Sequence, residues 1–405
     1  MRIACSKAAA LFVLIACAPR ADTTTAPRTD YIYLWSASSD STQPDFLAVL
    51  DVTEDSARYG KLVTTLPVPG LKNGPHHTEH EMPADGQLFA NGFGSGKSFI
   101  FDLTDGAKPR IAGGFAEVEG YMHPHSYLRL PNGNVLATFQ MRHDSSGMAV
   151  GGIAEVTPAG QVVRTSSASA PGVDPQTKVY SAGIVPALDR IVTTTTDMDA
   201  DYPGSRQLQI WRLSDLTVLH TIQLPDGPKG GEGLLSAEPR VLGDGRTVLV
   251  STFNCGLYLM NGLDTDAPSA RFVASFPRTE GTYCAIPVVA GNYYLVTVPA
   301  WHAVVSLDIS DPSSPKEVSR ATFGNEDVPH WIAMAPDQRR VVVTGYDGMK
   351  HRVSMLRFDP ATGQLSIDER FREEGATEAG FRMDNRTWPH GGTAAAVPHG
   401  AVFSR

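Results

Sequence analysis

The sequence predicts an all-β fold, a seven-bladed β-propeller, and three observations point to it. A two-strand unit recurs seven times, short runs flanked by turn residues fill the chain, and no sustained helical period appears. In each unit an apolar run is followed by a polar turn rich in Asp, Pro or Gly, and then by a second run. The first runs open at Phe46, Ser98, Gly152, Leu208, Gly256, Val304 and Val353. Their partners open at Lys61, Pro109, Gln161, Thr217, Ala270, Lys316 and Gln364. Successive copies start about 45 to 55 residues apart, the period of a four-stranded blade.

A second repeat precedes most later copies. Asp85-Gly86, Asn132-Gly133, Asp244-Gly245 and Asp337-Gln338 each stand before a β-branched or aromatic run, as hairpin turns do. These hairpins supply the two inner strands of a blade, and the recurring unit supplies the two outer ones. Tyr31–Trp35 at one end and Pro398–Phe403 at the other would lack partners in an open array. Paired in one blade, they close the ring and remove its exposed edges.

Residues 1–16 stand outside this fold as a signal peptide. Arg2 and Lys7 precede an apolar run from Ala8 to Ala16, too short to span a bilayer. The run ends in Leu14-Ile15-Ala16-Cys17, which resembles a bacterial lipobox, so Cys17 is the expected lipidation site. Residues 17–29 then form a polar tether and residues 30–405 the propeller. The chain is expected to be exported and held by its lipid on the periplasmic side of a bacterial membrane. Removal of the signal takes the formal charge from −9 to about −11. With no basic cluster, nucleic acid is not an expected partner. Cys255 and Cys284 remain in an oxidising compartment, where a disulfide between them is one outcome.

In a propeller the first strand of each blade lines the central channel. Of twelve histidines, His76, His77, His80, His123, His125, His330, His390 and His399 fall at the starts of such strands. His143, His220, His302 and His351 lie off them and are expected to be structural. Counted back from the turn, His125, Cys284 and His330 share one offset, and Tyr180-Ser181 and Glu238 stand at about the same place in blades without histidine. Imidazoles converging in a polar channel with few carboxylates suit copper or zinc better than magnesium or calcium. Gly94-Ser95-Gly96-Lys97-Ser98 has the wrong glycine spacing for a phosphate loop and precedes a strand, so it reads as a hairpin turn. Two long segments, 169–178 and 372–387, are candidate caps over the channel.

These residues carry a resemblance. Thr65-Leu-Pro-Val-Pro-Gly-Leu-Lys-Asn-Gly-Pro-His76-His77, Met122-His123-Pro124-His125, Ser306-Leu-Asp-Ile-Ser-Asp-Pro312 and Trp388-Pro389-His390 are similar to segments of the selenium-binding protein / methanethiol oxidase family. The resemblance runs discontinuously from about residue 50 to the end of the chain. It implies a seven-bladed propeller with a copper centre, zinc being the alternative, ligated by His76, His77, His125 and His390. His80, His123, His330, His399 and Cys284 are further candidate ligands. It also implies oxidation of methanethiol by dioxygen to formaldehyde, hydrogen sulfide and hydrogen peroxide. From their position alone, Glu79 or Glu238 is expected to take a proton. The family's Cys-x-x-Cys, which is tied to selenium, is replaced here by Glu79-His80-Glu81-Met82. Two other functions fit the same residues: a non-catalytic metal or selenium binder, and a scaffold for protein partners.

Overall fold

The computed structural model describes residues 29–405 apart from 145–146, 199–202, 278–282, 347 and 385. Seven antiparallel sheets are arranged as a β-propeller, each built on four strands in sequence order from the channel outward. The innermost strands of blades 2 to 7 are Pro75–Thr78, Tyr121–Arg129, Ala182–Val185, Ser236–Val241, Pro287–Ala290 and Ile332–Met334. Blade 1 takes its innermost strand, Ala396–Phe403, from the far end of the chain, against Tyr31–Ser38. The ring therefore closes through the two terminal strands, as the unpartnered runs predict. Residues 1–28, with the expected signal peptide and Cys17, lie outside the described residues.

Blade faces pack on blade faces, and this explains the continuous apolar runs. In Phe46–Asp51, Leu47 and Val49 face blade 2, while Phe46, Ala48 and Leu50 face blade 7. Side chains alternate along a strand, so a strand buried on both faces must be apolar at successive positions. Seven apolar clusters follow, one at each junction between neighbouring blades. Outermost strands are more exposed: Arg110–Phe115 is open at Arg110, Ile111, Ala112 and Gly114. The Asn132-Gly133 turn holds Gly133 at φ +86°, and Gln338 takes φ +54° at the matching turn of blade 7 without a glycine. Gly96, at φ +67°, ends a short 3-10 turn leading into Lys97–Asp102, so the glycine-rich stretch at residues 94–98 is a hairpin turn.

Neither expected cap covers the channel. Phe381–Arg382 pairs with Arg352 and Val353, so residues 372–387 extend the outer part of blade 7. The segment 169–178 is likewise absent from the described lining of either channel mouth. Thr196–Met198 and Tyr346 stand over the histidine end instead.

Candidate metal centre

The inner strands share one local irregularity, and it makes the site. The register slips by a residue between Pro75 and Thr78, between Pro124 and Tyr127, between Ser236 and Pro239, and between Pro398 and Ala401. In blades 4, 6 and 7 two residues likewise face one: Tyr180 and Ser181 face Thr194, Ala285 and Ile286 face Thr297, His330 and Trp331 face Thr344. Such β-bulges re-aim side chains. Consecutive residues on a regular strand point to opposite faces, yet the rings of His76 and His77 lie stacked with centroids 4.3 Å apart. His125, His330 and His399 hold the first of the two bulge positions in their own blades, as His76 does in blade 2, while Glu238 holds the second.

The bulges are tied from blade to blade. Thr138 Oγ1 donates to Tyr180 O (2.7 Å), Thr194 Oγ1 to Ala237 O (2.6 Å), Thr297 Oγ1 to His330 O (2.7 Å) and Thr344 Oγ1 to His399 O (2.9 Å). Asn91 Nδ2 donates to Pro124 O (2.8 Å), and Trp35 Nε1 to Asn91 O (2.7 Å). Between blades 5 and 6 the Cys284 N–H donates to Phe253 O (3.0 Å), and a disulfide joins Cys255 to Cys284. The hydroxyls of the second strands thus fix the backbone that carries the histidines.

Ligand atoms of His76, His77 and His399 all lie within 4.8 Å of one another. The His125 ring is 4.2 Å from that of His77 and 4.9 Å from that of His76. His330 packs on His399 at 4.5 Å, and Tyr283 Oη lies 3.1 Å from its Nδ1. All five are buried. Burial, with the neighbouring imidazoles, lowers the pKa of His76, His77 and His399 well below the ordinary value, and burial takes His125 to about 3 and His330 to about 4. The rings are therefore neutral at physiological pH, the form that ligates metals. His76 Nδ1, His77 Nε2, His125 Nε2 and both ring nitrogens of His399 are buried without a hydrogen-bond partner. Buried polar atoms are normally satisfied, so this convergence of lone pairs fits an ion.

No family model matches the chain. It is 25% identical to a methanethiol oxidase from Hyphomicrobium sp. over 344 residues, 78% of this chain and 75% of that one. In fold it is similar to a hypothetical selenium-binding protein from Sulfolobus tokodaii, with a TM-score of 0.75 at 17% identity over 94% of both chains. The chain is thus similar in sequence to a methanethiol oxidase and in fold to a selenium-binding protein. The fold extends further: a periplasmic gluconolactonase from Pseudomonas aeruginosa superposes with a TM-score of 0.64 at 14% identity, over 93% of this chain and 99% of that one.

In this propeller several expected residues stand away from the cluster. His390 Nδ1 lies 2.8 Å from Thr65 Oγ1 on the outermost strand of blade 1, and the ring packs on Phe46. It sits in the loop before the last strand, and the structure brings His399 to the cluster in its place. Cys284 is in the disulfide and has no thiolate to offer a metal. His123, at φ +53°, packs on Phe93 at 5.7 Å. His80 stacks on Trp331, rings 4.4 Å apart, and the same indole meets His77 at 4.8 Å and His399 at 6.1 Å. Trp331 thus forms a floor between the cluster and the far mouth.

Glu79 and Glu238 are also apart from the histidine cavity. Glu79 accepts from Arg129 Nε (2.7 Å) and the Phe89 N–H (2.9 Å) and borders the far mouth. Burial pushes its carboxyl up to about 7 against the pull of Arg129. Glu238 accepts from Ser181 Oγ and Arg240 Nη1, both at 2.7 Å, and Arg240 Nη2 donates to His80 Nε2 at 2.9 Å. Neither carboxylate lines the cavity in which His76, His330 and His399 stand. That cavity, of about 850 Å³, carries an aromatic belt that the sequence pattern does not reveal. Ring contacts run from His125 to Tyr180 (3.9 Å), Phe253 (5.6 Å), Tyr283 (6.2 Å), His330 (5.9 Å), Tyr346 (5.0 Å) and His399 (4.4 Å). They continue through His76 (4.1 Å) and Phe93 (5.6 Å) back to His125 (6.0 Å).

Proposed function

We propose that the protein is a copper-dependent oxidase of thiols, its ion held by His76, His77, His399 and His125. The observation that carries this is the set of buried, neutral imidazoles whose lone pairs converge without partners. An all-nitrogen donor set without carboxylate suits copper, with zinc the alternative. Copper bound there would hold a thiol as thiolate and take electrons from it. The reaction named for the relative balances as methanethiol, dioxygen and water giving formaldehyde, hydrogen sulfide and hydrogen peroxide.

The chain's own groups supply the rest. His330 is neutral at physiological pH, borders the cavity and contacts His399, so it is placed to take the thiol proton. Tyr283 Oη holds its ring in orientation. Trp331 closes the cavity from below and keeps the cluster apart from the charged far mouth. The disulfide favours an oxidising compartment, and export with lipid attachment at Cys17 belongs to the same proposal.

Elemental analysis after expression with copper and zinc supplied tests the reading. About one copper per chain is expected, as the cluster holds a single convergent set. His76→Ala/His399→Ala should lose it, with peroxide formation from methanethiol falling more than about a hundredfold. His390→Ala should keep both. Zinc alone, or no turnover of any thiol by the copper-loaded protein, would leave a metal binder without the oxidase.

A further inference from the structure

We infer that the cavity above the histidines takes a thiol with an uncharged aromatic body, an arylmethanethiol, in preference to a one-carbon thiol. The inference rests on the thiol-oxidase reading for the reacting end and on the cavity itself for the rest. At about 850 Å³ the cavity lies in the upper range of sites that enclose drug-sized ligands. A one-carbon thiol at the histidines would leave most of that wall wet. The wall is built to be covered: Phe93, Tyr180, Phe253, Tyr283 and Tyr346 line it, with Met198 and Leu235 between them.

The rings offer faces and edges together. Tyr180 and Phe253 meet at 82°, and Phe253 and Tyr283 at 62°, leaving a slot in which a flat guest can stack on one ring and meet the edge of the next. One side of the slot is fixed, because Phe253 stands two residues before Cys255, Tyr283 stands next to Cys284, and a disulfide joins the two cysteines. Charge selects further. Among the described lining residues there is no Lys or Arg, and Asp197 is the one carboxylate. Aromatic faces repel an anion, so thiols that carry a carboxylate are poor guests.

The chemistry sets one more requirement, a hydrogen on the carbon that bears sulfur. An arylmethanethiol, dioxygen and water give the aryl aldehyde, hydrogen sulfide and hydrogen peroxide. The C–S bond and one C–H bond break, water supplies the aldehyde oxygen, and two electrons pass to dioxygen. Dioxygen is the co-reactant of the parent reaction.

The test separates binding from turnover. Metal-free protein is titrated by calorimetry with phenylmethanol, methanol and benzoate, none of which needs the metal. Phenylmethanol should bind at least about tenfold tighter than either of the others, and Phe253→Leu and Tyr346→Leu should each weaken it about threefold or more. Equal binding of methanol or benzoate, or no response to either substitution in folded protein, overturns the inference. Tighter binding of benzyltrimethylammonium than of phenylmethanol overturns its uncharged part. Copper-loaded protein is then given phenylmethanethiol and methanethiol, with the aryl thiol expected to show at least about tenfold higher kcat/KM. If phenylmethanol binds and neither thiol reacts, the oxidase reading fails alone. If methanethiol reacts and phenylmethanol does not bind, only this inference fails.

Discussion

The two mouths of the channel are built from the same strands and have opposite chemistry. Residues at or before the bulge face one mouth, which is aromatic and carries the imidazole cluster with neutral, unpartnered nitrogens. Residues after the bulge face the other, a smaller cavity of about 410 Å³, where Glu79 pairs with Arg129, and Arg240 pairs with Glu238 from the bulge itself, although Glu238 Oε1 and His80 Nδ1 are left without partners. A paired charge cluster has little left to offer a guest, whereas a ring of lone pairs is a standing cost until something binds. The bulge is thus the dividing line between a stabilised end and a reactive end, and Trp331 closes the boundary.

The largest expected effect is on acid stability, where the buried histidines and Glu79 act in opposite directions. Each buried histidine has a folded pKa below its unfolded value. The stability it contributes is present above about pH 6.5 and is lost as pH falls toward the folded values, about 4 for His330 and about 3 for His125. Each such proton is worth up to about 1.4 kcal/mol per pH unit, and several act together. Glu79 runs the other way: its folded pKa, about 7, lies above the usual carboxyl value, so its contribution is lost as pH rises through that window. Denaturant unfolding of metal-free protein from pH 7.5 to 5 should show a steep loss with several protons taken up. Glu79→Gln should steepen the net loss, because it removes the one opposing proton. A flat profile over this range would mean that the cluster is not held neutral by burial.

Second in size is the tie between blades 5 and 6. Cys255→Ala/Cys284→Ala opens a loop with a sequence separation of 29 residues. The chain-entropy argument puts the cost at about 3.6 kcal/mol, read as a lower denaturation midpoint with an equal or larger m, because the unfolded chain is less constrained. Both sulfurs are buried, so the folded protein should keep this bridge during exposure to a thiol substrate. Thiol titration after such exposure checks it. A loss of aryl alcohol binding in the variant, with copper content unchanged, would show that the bridge shapes only the aromatic end.

Much of the fold is legible in the sequence because both blade faces are buried. Phe46–Asp51 and its six counterparts read as apolar runs, and Asp-Gly or Asn-Gly marks several inner turns. Blade 4 hides its inner turn: Pro186-Ala-Leu-Asp189 has no glycine, and Asp189 itself takes φ +57°. The paired His76-His77 and His125 are visible by their place before a turn. His399 is harder to rank, since its strand pairs with residues at the other end of the chain and no hairpin turn follows from which to count. That is why Trp388-Pro389-His390, at the start of the closing segment, draws attention that belongs nine residues later. The belt of Phe253, Tyr283 and Tyr346 is silent in sequence: its members come from different local settings and meet only when the ring closes.

The smallest expected effect tests whether the blade-to-blade hydroxyls position the cluster or merely stabilise the ring. Thr344 Oγ1 donates to His399 O at 2.9 Å in a fully buried setting. Thr344→Val keeps the shape, removes the donor and leaves one carbonyl unpaired, at a cost of about 1 to 2 kcal/mol in unfolding free energy. Thr194→Val, at the junction of blades 4 and 5, removes the equivalent bond to Ala237 O and the one its hydroxyl accepts from the Ser181 N–H, at a cost of about 1 to 3 kcal/mol. The two substitutions should differ in copper affinity, because only the first frees the backbone of a ligand. Competition with a chelator should show weaker copper in Thr344→Val and little change in Thr194→Val. If both variants lose stability and copper alike, the hydroxyl ring acts on the propeller as a whole, and the division between the two mouths is set by the side chains alone.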